Sequence, residues 1–392
     1  MPDQYTETTT RGLGSRLGSS IGGVFLGLIF FIVSFGLLYY NEGRQIHTAK
    51  LIEMAKQSQE MSAASPDASA QGKLVTACGI LTTGDMLSDK VEWTSVSGTH
   101  LSAELKTRKL LKLSRHVEMF AWKETEESKT KKNLGGSETE EKTYTYKQVW
   151  TNAPEDSSEF KVPEEHKNPV LTLDQVDAVV DHASLGTLTI DPSKFEFPPE
   201  QKFILSKDTV TYTDENLASA GSPEYIFFGT GSLASPRIGD LRVSYTYLPS
   251  DLNIVAFGKL NGTNLSPYVN EKDGALYRGF LGTKDEAVAT MTSENSLTTW
   301  LLRLLGFVLM WLGLSMLLAP ISTLLDILPM LGSVSRGLIG FVTFVVAFVL
   351  SILTILISML VHNVIALIVV AVAGTIIAIF VIKHALKKPK MA

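Results

Sequence analysis

A side chain that attacks a substrate, moves a proton or holds a metal needs partners at a suitable spacing. The single cysteine, Cys78, lies in Val75-Thr-Ala-Cys-Gly-Ile80, an apolar strand-like run with no adjacent base. A thiol in that setting reads as a small core residue rather than a nucleophile. One cysteine also excludes an intrachain disulfide and a multi-cysteine zinc site. His116 and Glu118 stand two apart, so a strand would present both on one face. Two ligands do not complete a metal site, and His166 and His182 lie elsewhere in the chain. Glu124, Glu126 and Glu127 could gather a cation. With Lys123, Lys129, Lys131 and Lys132 among them, they read better as a mixed solvated surface. There is no G-x-S-x-G elbow, no H-E-x-x-H pair and no glycine-rich phosphate loop. No catalytic residue, metal ligand or cofactor is expected. An enzyme with an unfamiliar site around His116 and Glu118 stands third among the readings.

The elements that must carry these residues are set by where hydrophobicity lies. The chain has 392 residues, 19% of them charged, and a formal charge of −5; its mean hydropathy is +0.16. No global basic field exists to hold nucleic acid. Ile21 to Tyr40 carries no charge, long enough as a helix to cross a hydrocarbon core of ~30 Å. Its exit through Tyr39, Tyr40, Asn41 and Glu42 is a poor cleavage site, which favours an uncleaved signal anchor. Between Leu304 and Ile382 the only charges are Asp326 and Arg336, and they separate apolar runs. The expectation is an α+β membrane protein with four transmembrane helices and a large strand-rich extramembrane domain between the first and second.

In residue numbers, a cytoplasmic N-terminal tail covers 1–20 and the first membrane helix 21–40. The strand-rich domain, lumenal or periplasmic, covers 41–299. Membrane helices follow at 300–318, 338–361 and 364–382, with a cytoplasmic loop at 319–337 and a basic cytoplasmic tail at 383–392. Arg11 and Arg16 at one end, and Lys383, Lys387, Lys388 and Lys390 at the other, place both tails on the positive side. Arg303 is expected to snorkel from a helix end, leaving no charge deep in a span.

Within the large domain, Leu241-Arg-Val-Ser-Tyr-Thr-Tyr247 alternates as a half-buried strand does. Thr143–Trp150 and Val117–Trp122 are also strand-like, joined by a charged run that predicts a long hairpin with a solvated tip. Leu74–Leu81 and Leu252–Leu260 are further strand candidates. Glu42–Ala64 would extend the first helix, Leu173–Ala183 is an amphipathic helix candidate, and Pro192–Gln201 reads as a loop. Asn261 and Asn264 begin overlapping sequons.

Small residues mark helix-packing faces. Gly340, Thr343, Ala347, Ser351, Thr354 and Ser358 follow one another at spacings of three and four. Gly23 and Gly27 form such a face on the first helix; Ala371, Gly374 and Ala378 form one on the last. These faces serve packing within one chain or between chains. Lys388 and Lys390, third and fifth from the end, match a lysine-based retrieval signal for endoplasmic-reticulum membrane proteins.

Several motifs together resemble the LUMA family of four-pass membrane proteins. They are Arg115-His-Val-Glu-Met-Phe-Ala-Trp-Lys-Glu-Thr-Glu-Glu-Ser128, Tyr144-Thr-Tyr-Lys-Gln-Val-Trp150, His166-Lys-Asn-Pro169 and Gly239-Asp-Leu-Arg-Val-Ser-Tyr245. Asn41-Glu-Gly-Arg44 fits as well. The motif residues singled out are Arg115, His116, Glu118, Trp122, Tyr144, Tyr146, Trp150, His166, Asn168, Pro169, Gly239, Asp240 and Arg242. The resemblance implies a non-enzymatic scaffold that self-associates through its membrane helices. In a eukaryote it implies the endoplasmic reticulum and inner nuclear membrane, with emerin and lamina-type proteins as partners. In a bacterium it implies the inner membrane with a periplasmic domain. Membrane lipids and a homo-oligomer are the expected partners in either setting, and no nucleic acid. A lumenal or periplasmic module that binds a lipid or protein at the membrane surface is the alternative reading.

Overall fold

The computed structural model describes residues 3–94, 100–133, 137–213, 221–325 and 329–362. The chain forms two compact units. One comprises Met1–Thr8, Leu51–Lys129 and Glu141–Thr290; the other comprises Thr9–Lys50, Thr130–Glu140 and Met291–Ala392.

The first unit is built from strands. One seven-stranded sheet runs in the order Gln4–Arg11, Glu138–Thr151, Leu110–Lys132, Leu241–Pro249, Gln201–Lys202. Ile226–Phe228 and Val176–Val179 pair onto it beside that path. The alternation read in residues 241–247 is realised: Leu241, Val243 and Tyr245 point into the core. Arg242, Ser244 and Thr246 face the other way. The long hairpin is present as Leu110–Lys132 and Glu138–Thr151.

A second seven-stranded sheet contains Leu74–Thr82 and Leu252–Asn261 as antiparallel neighbours, with Cys78 opposite Val255. Strands of the first sheet and of a three-stranded sheet enclose one core, around Val117, Met119, Phe228, Leu241, Val243 and Tyr245. The second sheet supports another, around Val75, Leu81, Leu185, Leu188, Ala256 and Leu260.

One expectation is corrected here. Leu173–Ala183 is not a helix; Val176–Val179 is a strand whose residues pair with Lys112–Arg115. Eleven residues make a marginal isolated helix, and the neighbouring strand offers every second residue a ladder partner. Within the stretch expected as the tail, Gln4–Arg11 is a strand beside Glu138–Thr151, the amide of Tyr146 donates to the carbonyl of Asp3 at 2.8 Å, and Lys161 pairs with Glu7 at 2.5 Å.

The second unit is helical. Helix α1 covers Leu13–Gln57, so the first span does continue well past Tyr40. Helix α2, Lys284–Leu317, starts earlier than position 300, and Asp285 and Glu286 in its first turn complement the helix dipole. Helices α3, Ala319–Leu325, and α4, Pro329–His362, occupy much of the stretch expected as a loop at 319–337. A proline is well suited to a first helical position, because its missing N–H has no intrahelical partner there. Among the described residues three helices are long and apolar enough to cross a membrane: Leu13–Gln57, Lys284–Leu317 and Gly337–His362. The fourth expected span, 364–382, lies outside the described residues, as do Ala371, Gly374, Ala378, Lys388 and Lys390.

The ladder on residues 4–8 has a direct consequence for topology. A thiol placed at Thr6 in a Cys78→Ser background should react with an impermeant maleimide from the same side as one placed at Lys207. Labelling from opposite sides would show that the tail leaves the sheet when α1 crosses the bilayer.

Candidate functional site

The motif residues of the strand unit sit on three adjoining strands and two loops, and the cross-strand register decides the partners of those on strands. Glu118 lies opposite Arg242, and the guanidinium Nε donates to its Oε2 at 2.7 Å. The same guanidinium is sandwiched between the rings of Trp150 and Tyr225, at 4.7 and 4.5 Å. His116 lies opposite Ser244 and shares a hydrogen bond of 2.9 Å with the Thr246 hydroxyl. That hydroxyl donates to Glu200 at 2.6 Å, and Lys112 pairs with the other oxygen of Glu200. His116 and Glu118 therefore share a face but serve different partners. Among the described residues no group of three His, Cys, Asp or Glu side chains is placed to hold a metal.

Arg115 points the opposite way, into the core. It is 8% exposed, and its Nη1 reaches both carboxylate oxygens of Asp89, at 3.0 and 2.9 Å. The Tyr245 hydroxyl donates to Asp89 at 2.7 Å. Burial, then the Asp89 charge, pushes the Tyr245 phenol well above its ordinary range.

The base of the hairpin is closed by side chains that act as backbone partners. Asn168 accepts from the Trp122 amide at 2.7 Å and donates to its carbonyl at 2.9 Å. His166 stacks on Tyr146 at 3.6 Å between ring centres and meets Trp122 edge-on. The Tyr146 hydroxyl donates to Glu124 at 2.6 Å and accepts from the Val162 amide; burial and Glu124 push its pKa up to about 12. Tyr144 donates to Glu7 at 3.4 Å. Glu126 pairs with Lys142. Within the acidic cluster, Glu124 and Glu126 are thus engaged by separate internal partners.

Pro169 packs on Gly239, whose φ of 91° and whose 2.8 Å separation from Pro169 Cγ at a notional Cβ both demand glycine. Asp240 is 3% exposed and accepts from the amides of Thr230, Gly231 and Arg237. Asn261 and Asn264 face each other across the exposed turn at Gly262, and Thr189 donates to the Asn264 side chain.

Cys78 is half-buried, not sealed in the core, and its thiol lies 3.4 Å from Glu60. Burial first, then the hydrogen bond and charge of Glu60, pushes its pKa up to about 11. A group held protonated in this way is a poor nucleophile at neutral pH.

In the helical unit, the small-residue face of α4 is occupied within the chain. Thr343, Ala347, Ser351 and Ser358 are all buried. Thr343 bonds Ser315, Ser351 donates to Met310 Sδ, and Ser358 donates to the Tyr39 carbonyl. Trp311 donates to the Gly340 carbonyl at 3.1 Å, while Thr354 bonds only its own helix. Gly27 lets α1 approach α2: a Cβ there would stand 2.7 Å from Met316 Cβ and 2.9 Å from the Gly313 carbonyl. Gly23 faces the same methionine at 3.8 Å.

Sequence reasoning missed the densest polar cluster, where the apolar spans of α1 and α2 end. Glu42 is fully buried and takes a two-pronged bond from Arg303, Nε to Oε1 at 2.7 Å and Nη2 to Oε2 at 2.8 Å. Arg303 therefore does not snorkel to solvent. Asn41 donates to the Thr299 carbonyl at 3.1 Å. Arg44 reaches Asn295 at 3.1 Å and the Thr299 hydroxyl at 2.9 Å. Gly43 leaves room for His362, whose Nε2 would lie 2.6 Å from a Cβ there. The signal was available: Asn41-Glu-Gly-Arg44 and Arg303 each flank an uncharged run, so antiparallel helices bring them to one level.

The family model for Transmembrane protein 43 matches residues 119–364. Transmembrane protein 43 of Homo sapiens is 28% identical over 358 residues, covering 84% of this chain and 84% of that protein. The Rattus norvegicus protein is 28% identical over 353 residues, covering 83% and 81%. The Transmembrane protein 43 homolog of Drosophila melanogaster is 23% identical over 300 residues, covering 74% of each. No solved structure matches.

Two outcomes follow from this geometry. Glu42→Gln should lower stability by roughly 3 kcal/mol, because it removes the countercharge of a partly buried guanidinium, whereas Glu42→Leu with Arg303→Met should recover most of the loss. Thermal unfolding of the detergent-solubilised variants reads both. Cys78 should react with iodoacetamide at pH 8 about tenfold more slowly than an ordinary thiol, the scarcer thiolate being partly offset by its greater nucleophilicity. A time course followed by intact-mass spectrometry measures it.

Proposed function

The chain belongs to the Transmembrane protein 43 family, and from that premise we propose that it is a non-enzymatic multi-pass membrane scaffold. In this reading it self-associates through its membrane helices and organises membrane protein complexes. The compartment is the endoplasmic reticulum and inner nuclear membrane in a eukaryote, or the inner membrane in a bacterium.

The observation that supports the reading most is how the motif residues use their polar groups. Arg115, Glu118, Tyr146, Asn168, Asp240 and Arg242 bond to other parts of the same unit. Such cross-linking makes a rigid platform, and a platform suits assembly. The contact surface differs from the one suggested by small residues alone, because that face of α4 is filled by α1 and α2. The outward face carries Leu338, Phe341, Val345, Phe348, Ile352 and Leu356 at spacings of three and four, all exposed. An apolar stripe of that period seats a partner helix, and we assign self-association to it.

Light scattering of the full chain in a gentle detergent tests the reading. The expected particle is a defined multimer, and Val345→Trp with Ile352→Trp should reduce its mass to a monomer. Ser351→Leu, which crowds Met310 within the chain, should instead lower the unfolding temperature. A monomeric wild-type protein, or a mass unchanged by the tryptophan pair, would overturn the assignment.

A further inference from the structure

The strand unit holds a cavity of about 560 Å³ that the packing described above does not fill. That volume lies within the ~300–1,000 Å³ common to small-molecule sites. Its floor is Met119 and Leu241, each almost fully buried. Its walls include Trp93, whose ring stands 6.1 Å from Phe228, together with Ile238 and Pro169. At its mouth Val170 is 84% exposed.

The polar groups of the lining narrow the ligand. The one carboxylate, Asp240, has its oxygens engaged by the amides of Thr230, Gly231 and Arg237. Among the described residues no lysine, arginine or histidine lines the cavity. A charged ligand would lose its hydration there without a countercharge. Thr172 and Thr230 supply hydroxyls that suit a neutral oxygen, while the Thr94 hydroxyl also shares a hydrogen bond of 3.1 Å with His100 Nδ1. A long apolar body with an uncharged polar end satisfies this lining.

We propose that this cavity binds one fatty acyl chain, Trp93, Met119, Ile238 and Leu241 enclosing the hydrocarbon and the threonine hydroxyls meeting its ester or protonated acid end. Free fatty acids and membrane phospholipids share that chemistry. The family motif contributes Pro169, Gly239 and Asp240 to the wall, so the Gly239–Pro169 contact and the Asp240 amide cradle set the cavity's shape. The site is independent of the self-association assignment, which rests on α4.

Photo-crosslinking of the full-length protein in detergent tests it, with diazirine-labelled palmitate and diazirine-labelled phosphatidylcholine as separate probes. Adducts should map to peptides containing Trp93, Met119 or Val170, and excess unlabelled palmitate should compete. Labelling by palmitate alone identifies a free acid as the source; labelling by both identifies lipid chains generally. Thr94→Trp with Thr230→Trp fills the cavity from exposed positions and should cut these adducts at least tenfold at an unchanged unfolding temperature. Adducts confined to the membrane helices, adducts that resist competition, or labelling unaffected in a stably folded filled variant would each overturn the proposal.

Discussion

A fully buried carboxylate constrains the helical unit more than any other single group. Glu42 is taken out of water at the end of an apolar span, and only a close, two-pronged guanidinium offsets that desolvation. Arg303 must therefore stand at one level with Glu42, which sets the register of α2 against α1. Asn41, Arg44, Asn295 and Thr299 then fall into hydrogen-bond reach on the adjoining turns. Below that level the contact has no polar glue of comparable strength, and close approach depends on Gly27, Gly306 and Gly313.

The strand unit solves its polar problem differently. Several of its charges are paired between strands, within one sheet or across the core. Arg115 and Arg242 illustrate the two faces. Arg115 is inside and bonds Asp89 beside Tyr245; Arg242 is outside, bonds Glu118 and stacks between two rings. The hairpin base adds a neutral device. Asn168 imitates a peptide group, satisfying the edge of Trp122 in both directions.

Much of this was legible in the residues. Alternation in residues 241–247 identified a half-buried strand, because the side-chain period of two directly records which face meets the core. Uncharged runs identified the helices that suit a membrane, because length and apolarity are properties of the segment itself. Helix ends were less legible. α2 begins at Lys284 and α4 at Pro329, since a helix continues through polar residues once its core-facing turns are anchored. Leu173–Ala183 carried helical spacing and became a strand because Lys112–Arg115 offered it a ladder. The candidate reactive residues separated in the same way. That His116 and Glu118 share a face follows from spacing, but Thr246 and Arg242 as their separate partners follow from register alone.

The sequence by itself determined the membrane character, the family motifs and the alternation of the central strands, since each is carried by neighbours in the chain. Tertiary structure alone decided that Arg303 meets Glu42, that the small-residue face of α4 is spent within the chain, and that Pro169, Gly239 and Trp93 enclose one cavity. Each of these brings together residues far apart in the sequence, and only packing fixes which of many chemically similar partners is reached.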